Sequence, residues 1–68
     1  MKTKQQRTQI AESAIFLLKD GIANNSKSKI KVAYELIEED EQFDWDDLDV
    51  LYMEWEELVE QANDIIYA

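Results

Sequence analysis

The sequence predicts an all-α fold, a small three-helix bundle in one domain, on three observations. Apolar residues recur at three- and four-residue steps in three separate segments. Pro is absent and Gly occurs once, at Gly21, which is too little turn chemistry for a sandwich or barrel of short strands. Hydrophobic residues make up 46% of the chain, too many for a disordered acidic tail. A chain of 68 residues lies near the lower limit for a single core, and without Cys it has no disulfide or thiolate zinc site to staple it. Well-formed helices or a second subunit must then supply the stability, so a homodimer is one expectation.

The first helix is expected over residues 3–20. Ile10, Ala14, Leu17 and Leu18 fall on one face, and Ala11, Ile15 and Ile22 widen it. Thr3 is positioned to cap its start, and Lys19 followed by Gly21 reads as its end. Phe16 points away from the stripe. The segment GIANNSKS, residues 21–28, is a loop by composition, with Ser26 or Ser28 capping the next helix.

The second helix is expected over residues 28–39. Ile30, Ala33, Tyr34 and Ile37 make a helical stripe, while Ile30, Val32, Tyr34 and Leu36 alternate as a strand would. A lone strand would find no partner within the chain, so the helical reading is preferred. An intersubunit strand is the alternative. As a helix this segment is apolar on a second side as well, at Val32 and Leu36, which suits a central place or a dimer interface.

The break is expected at residues 40–45, and a third helix over 45–66. Leu48, Leu51, Tyr52, Trp55, Leu58, Val59, Ala62, Ile65 and Ile66 sustain its apolar stripe. Asp44 or Asp46 is expected to cap its start, where acids complement the helix dipole.

Charge divides the chain. Seven cations and two acids give residues 1–31 a charge of +5, and fourteen acids with no cation give residues 32–68 a charge of −14, for a net −9. The domain thus has a basic N-terminal half and an acidic C-terminal half. An anionic surface repels nucleic acid and anionic membranes and favours basic partners. Lys2, Lys4, Arg7, Lys27, Lys29 and Lys31 could form a basic patch, but the acidic half opposes any phosphate backbone that approaches it. No apolar run approaches the ~18 residues of a membrane span, and the N-terminus lacks the apolar core of a signal peptide. A cytoplasmic protein is expected, with no membrane and no direct nucleic-acid binding.

Catalysis is disfavoured. There is no His, and Ser13, Ser26 and Ser28 have no evident base to activate them. Asp40, Gln42, Asp44 and Asp46 mimic the alternating ligands of a calcium loop. However, Trp45 stands where that loop requires Gly, and Leu51 where it requires the closing Glu. No cofactor or dedicated metal site is expected.

The candidate partner-binding residues are therefore those of the acidic stretch and of the third helix's outer face. They are Glu38, Glu39, Asp40, Glu41, Phe43, Trp45, Asp46, Asp49, Met53, Glu56, Glu57, Glu60 and Asp64. Eight acids between residues 46 and 64 span roughly 27 Å at 1.5 Å per residue, close to the axial charge spacing of one DNA strand. Acids steer a basic protein, and rings and Met53 anchor it. In general character the chain resembles the small acidic helical proteins of phages and mobile elements that disarm host enzymes. Immunity proteins and antitoxins work by the same physics. The nine residues FDWDDLDVL resemble the motifs of acidic transcriptional activation segments. A homodimeric scaffold, with the apolar end Ile65, Ile66 and Tyr67, is the structural alternative.

Overall fold

The computed structural model describes residues 2–68 and contains three helices: α1 (Lys4–Ala23), α2 (Lys27–Glu38) and α3 (Asp49–Ile66). No strand occurs among the described residues, and residues 29–37, with their ambiguous pattern, are helical. The bundle is elongated, 35 × 20 × 16 Å. That long dimension is set by α1, whose 20 residues span about 30 Å.

Each helix begins for a local reason. Thr3 forms a capping box with Gln6, each side chain bonding the other's backbone N–H at 2.9 and 3.1 Å. Ser26 caps α2 through the Lys29 N–H. The third start differs from expectation. Helix α3 begins at Asp49 rather than residue 45, its N-cap position is Leu48, and no side chain caps it. Asp44 instead accepts the Asp46 N–H and a bond from Arg7 of α1, which also binds the backbone carbonyl of Asp46.

The end of α1 also differs. Gly21 does not terminate the helix, which runs on to Ala23. The chain turns instead at Asn25, the residue in the left-handed region (φ 53°), with Ser26 N–H bonding Gly21 O and Asn25 N–H bonding Ile22 O. This is a Schellman turn with Asn in the position Gly more often takes. Gly21 is buried for closeness: a Cβ there would lie 2.9 Å from Ile30 Cγ1 and 3.1 Å from the Ile30 backbone N. The α1–α2 hairpin depends on that approach.

The core is formed by Ala11, Ala14, Ile15 and Leu18 of α1, Ile30, Ala33 and Ile37 of α2, and Trp55, Leu58 and Ala62 of α3, with Leu48 at the margin. Most of the packing is α1 against α2, then α1 against α3; α2 and α3 touch sparsely. One polar bond joins that weak seam, the Tyr34 hydroxyl donating to Asn63 Oδ1 at 2.9 Å. Phe16 is exposed on the far side of α1, as its place on the helix requires. No described helix is long and apolar enough to cross a membrane.

Gly21→Ala is expected to destabilise the protein. The helix-propensity gain of about 1 kcal/mol is outweighed by overpacking against Ile30, which costs about 1–3 kcal/mol. Thermal unfolding followed by circular dichroism should show a lower midpoint than wild type.

Candidate functional site: an acidic loop and an acidic helix face

The acidic stretch is not a free ribbon of charge. Residues 39–48 join α2 to α3, and three of their Asp residues shape the chain. Asp40 Oδ1 accepts the Gln42 N–H at 3.0 Å, and Asp44 Oδ1 accepts the Asp46 N–H at 3.0 Å. These are two Asx turns. Asp47 takes the left-handed region (φ 63°), which Asp tolerates better than most side chains.

The loop is tied to α1 by cations. Among the described residues Arg7 is the one buried charged residue, 8% exposed, on the core face of α1. Its Nη1 donates to Asp44 Oδ1 at 3.1 Å and to the Asp46 carbonyl at 2.6 Å, with a longer contact to the Asp44 carbonyl at 3.4 Å. Lys2 Nζ meets Asp40 Oδ2 at 3.0 Å. Nη1 thus serves the loop while Nε donates to the Lys2 carbonyl at 3.4 Å, so one guanidinium ties the segment before α1 to the loop through two separate nitrogens, which a Lys lacks. The spacing of Arg7, Ala11, Ala14 and Leu18 put a charge on the buried stripe, and that was the available signal. Grouping Arg7 with the surface lysines missed it.

The clamp sets the two rings. Phe43 and Trp45 are half-buried and packed against the core. Phe43 meets Trp45 edge-on at 4.9 Å between centroids, and Trp45 lies 5.4 Å from Tyr52 and 5.9 Å from Trp55. Trp55 in turn meets Tyr34 edge-on at 5.9 Å. The aromatic chain therefore bridges the loop, α3 and α2. Among the predicted site residues, Phe43 and Trp45 serve packing, Asp40 serves a turn and an ion pair, and Asp46 lies in the loop rather than on α3. Glu38 ends α2, while Glu39 and Glu41 are exposed in the connector beside Asp40.

The outer face of α3 does gather its residues. Asp49, Met53, Glu56, Glu57, Glu60 and Asp64 follow one another at helical spacing opposite Trp55, Leu58 and Ala62. Met53, Glu56, Glu57 and Glu60 line one shallow depression. Met53 is 65% exposed, and Val50 beside it is 81% exposed. Among the described residues, no Lys or Arg lies within ion-pair distance of these five carboxylates, whereas Glu54 on the neighbouring face meets Lys19 at 2.7 Å. With Asp46 and Asp47 off the helix and Glu54 paired with Lys19, the remaining five acids span about 22 Å at 1.5 Å per residue. That is sparser than the phosphates of a DNA strand, one per 3.4 Å. Glu56, by hydrogen bonding and by its charge, raises the Tyr52 hydroxyl above its ordinary pKa.

The cations do not form one patch. Lys2, Lys4 and Arg7 stand at the start of α1, and Lys27, Lys29 and Lys31 at the start of α2, which adjoins the other end of α1. Lys29 Nζ is bound to Asp20 Oδ2 at 2.6 Å. No family model, curated protein or solved structure matches the chain.

The clamp generates two expected outcomes. Arg7→Met should lower stability by about 1–3 kcal/mol, the scale for bonds to a charged group and for the polar atoms left unpaired, and should alter tryptophan emission; Arg7→Lys should restore little. The second concerns pH. The Lys2 hydrogen bond, the Gln42 N–H and the Lys2 charge together hold the Asp40 carboxyl below its ordinary range. A depressed carboxylate pKa stabilises the fold fully above the unfolded value near 4 and loses that contribution as pH falls through the folded value. Tryptophan fluorescence should report loosening of the loop below about pH 4, and Asp40→Asn should remove that part of the acid transition.

Proposed function

We propose that this protein is a small acidic binding module that covers a basic, nucleic-acid-binding surface of another protein, as a DNA mimic or an inhibitor of the phage and mobile-element kind. The observation that carries the reading is the outer face of α3: five carboxylates around Met53 and no cation among them. That face is costly. Glu56 with Glu60, Glu60 with Asp64, and Glu57 with Glu60 repel across one turn, each pair by a few tenths of a kcal/mol. Interleaved lysines would have kept the same face soluble and made it more stable. Lys2, Arg7, Lys19 and Lys29 instead meet acids off this face.

The acids would steer the encounter, and Met53 and Val50 would supply the apolar contact that holds it. An antitoxin or immunity protein would use the same face against a basic toxin. A reading of FDWDDLDVL as an activation-type motif draws less support, because its rings are engaged in packing. A cytoplasmic setting and a homodimer presenting two such faces both fit the proposal.

The test is affinity capture from the native host at low and high salt, followed by competition with DNA or RNA. Retained basic proteins should be released by nucleic acid and by salt. Glu56→Lys/Glu57→Lys/Glu60→Lys should weaken a retained partner by roughly 100-fold or more, as removal of several complementary charges does. Glu12→Lys, off the face, should change it little. Unchanged affinity in the triple variant ends the reading.

A further inference from the structure

We infer that a second copy of this chain docks on the α1–α2 face, through the groove between Ile10 and Leu36. Its walls are Lys2, Gln6, Gln9, Ile10, Ser13 and Leu36, so no residue of α3 takes part. Leu36 is 37% exposed, and Val32, one turn before it, is 45% exposed. Neither side chain is needed by the core of its own chain.

Charge selects the occupant. Two molecules of net charge −9 repel, and contact is cheapest where local charge is balanced. The groove walls include no carboxylate, and their one cation, Lys2, is already paired with Asp40. At the far end of the hairpin stands a second closed pair, Lys29 with Asp20. A two-fold antiparallel approach sets a closed ion pair near each end of the contact and turns the exposed Glu35 and Glu39, beside Leu36, toward the lysine-bearing start of α2 in the other copy. Other exposed apolar residues lack this setting. Val50 and Met53 lie among the acids of α3, and Phe16 lines a groove with Glu12 and Glu54. A basic partner would be steered to α3 and have nothing to grip here.

Size gives a second argument. Leu18 and Ile30 are the only large side chains fully buried among the described residues. A core that small commonly draws further stability from association. The contact is isologous, the same patch meeting itself. It would leave the acidic face of each α3 outward, although its existence does not depend on what those faces bind.

Sedimentation equilibrium of the purified protein tests the inference without any partner. A concentration-dependent dimer is expected, stronger at high salt as repulsion is screened. Val32→Glu/Leu36→Glu should weaken it at least tenfold with an unchanged helical spectrum, and Met53→Glu should not. Because the chain has no Cys, Ser13→Cys offers a check that keeps both apolar side chains: a bis-maleimide should link it to its counterpart far faster than it links Met53→Cys. A monomer at about 1 mM in high salt, a dimer indifferent to Val32→Glu/Leu36→Glu, or equal cross-linking at both cysteines overturns the inference. Each of these leaves the fate of the acidic face to the charge-reversal experiment.

Discussion

The guanidinium of Arg7 is the point on which the arrangement depends. It sits on the buried stripe of α1, where an apolar residue would ordinarily be, and answers the backbone and one carboxylate of the 39–48 connector. A charge held there without partners would be expensive. With them, it fixes where the connector lies, hence where Phe43 and Trp45 pack and where α3 begins. No side chain caps that helix start. The buried Leu48 and the Arg7-bound turn before it place the first turn instead, so a long-range contact does what a local cap does for α1 and α2.

Acidity in this chain has two separate uses. In the connector, Asp40, Asp44 and Asp47 are conformational residues, two making Asx turns and one taking a left-handed backbone. Their charge is mostly a by-product of that chemistry, and cations on or beside α1 offset two of them. On α3, by contrast, Asp49, Glu56, Glu57, Glu60 and Asp64 shape no turn and meet no cation among the described residues. Apart from Asp49, which favours the helix start as an acid in its first turn, the acids of α3 are thus set apart from those of the connector, which shape the backbone.

That division explains how far the sequence could be read. The three helices, the Thr3 and Ser26 caps and the exposure of Phe16 arise from periodicity and side-chain chemistry that act within a few residues. The face on α3 was legible for the same reason. The errors lie where distant residues decide. Asp44 and Asp46 have the chemistry of caps, but Arg7, about 40 positions away, binds the Asp44 carboxylate and the Asp46 carbonyl and holds both residues in the loop before α3. Gly21 carries the usual mark of a helix end, yet it exists to admit Ile30, and Asn25 makes the turn. Phe43 and Trp45, amid acids, also pack within the fold in a way the local sequence does not show, Phe43 on Trp45 and Trp45 on Tyr52 and Trp55.

The thin seam between α2 and α3 has a bearing on how the molecule forms and opens. The α1–α2 hairpin closes over a three-residue connection and is built of contacts near in sequence, the kind that form early because little loop entropy opposes them. Helix α3 arrives through a ten-residue connector and leans chiefly on α1. Opening free energies are lowest where buried contacts are fewest. The least costly fluctuation is thus the departure of α3 as a unit, with the hairpin persisting behind it. In amide exchange, α3 would form a cooperative unit separate from the other two helices, and the acidic helix would be the part of the fold that the molecule releases first.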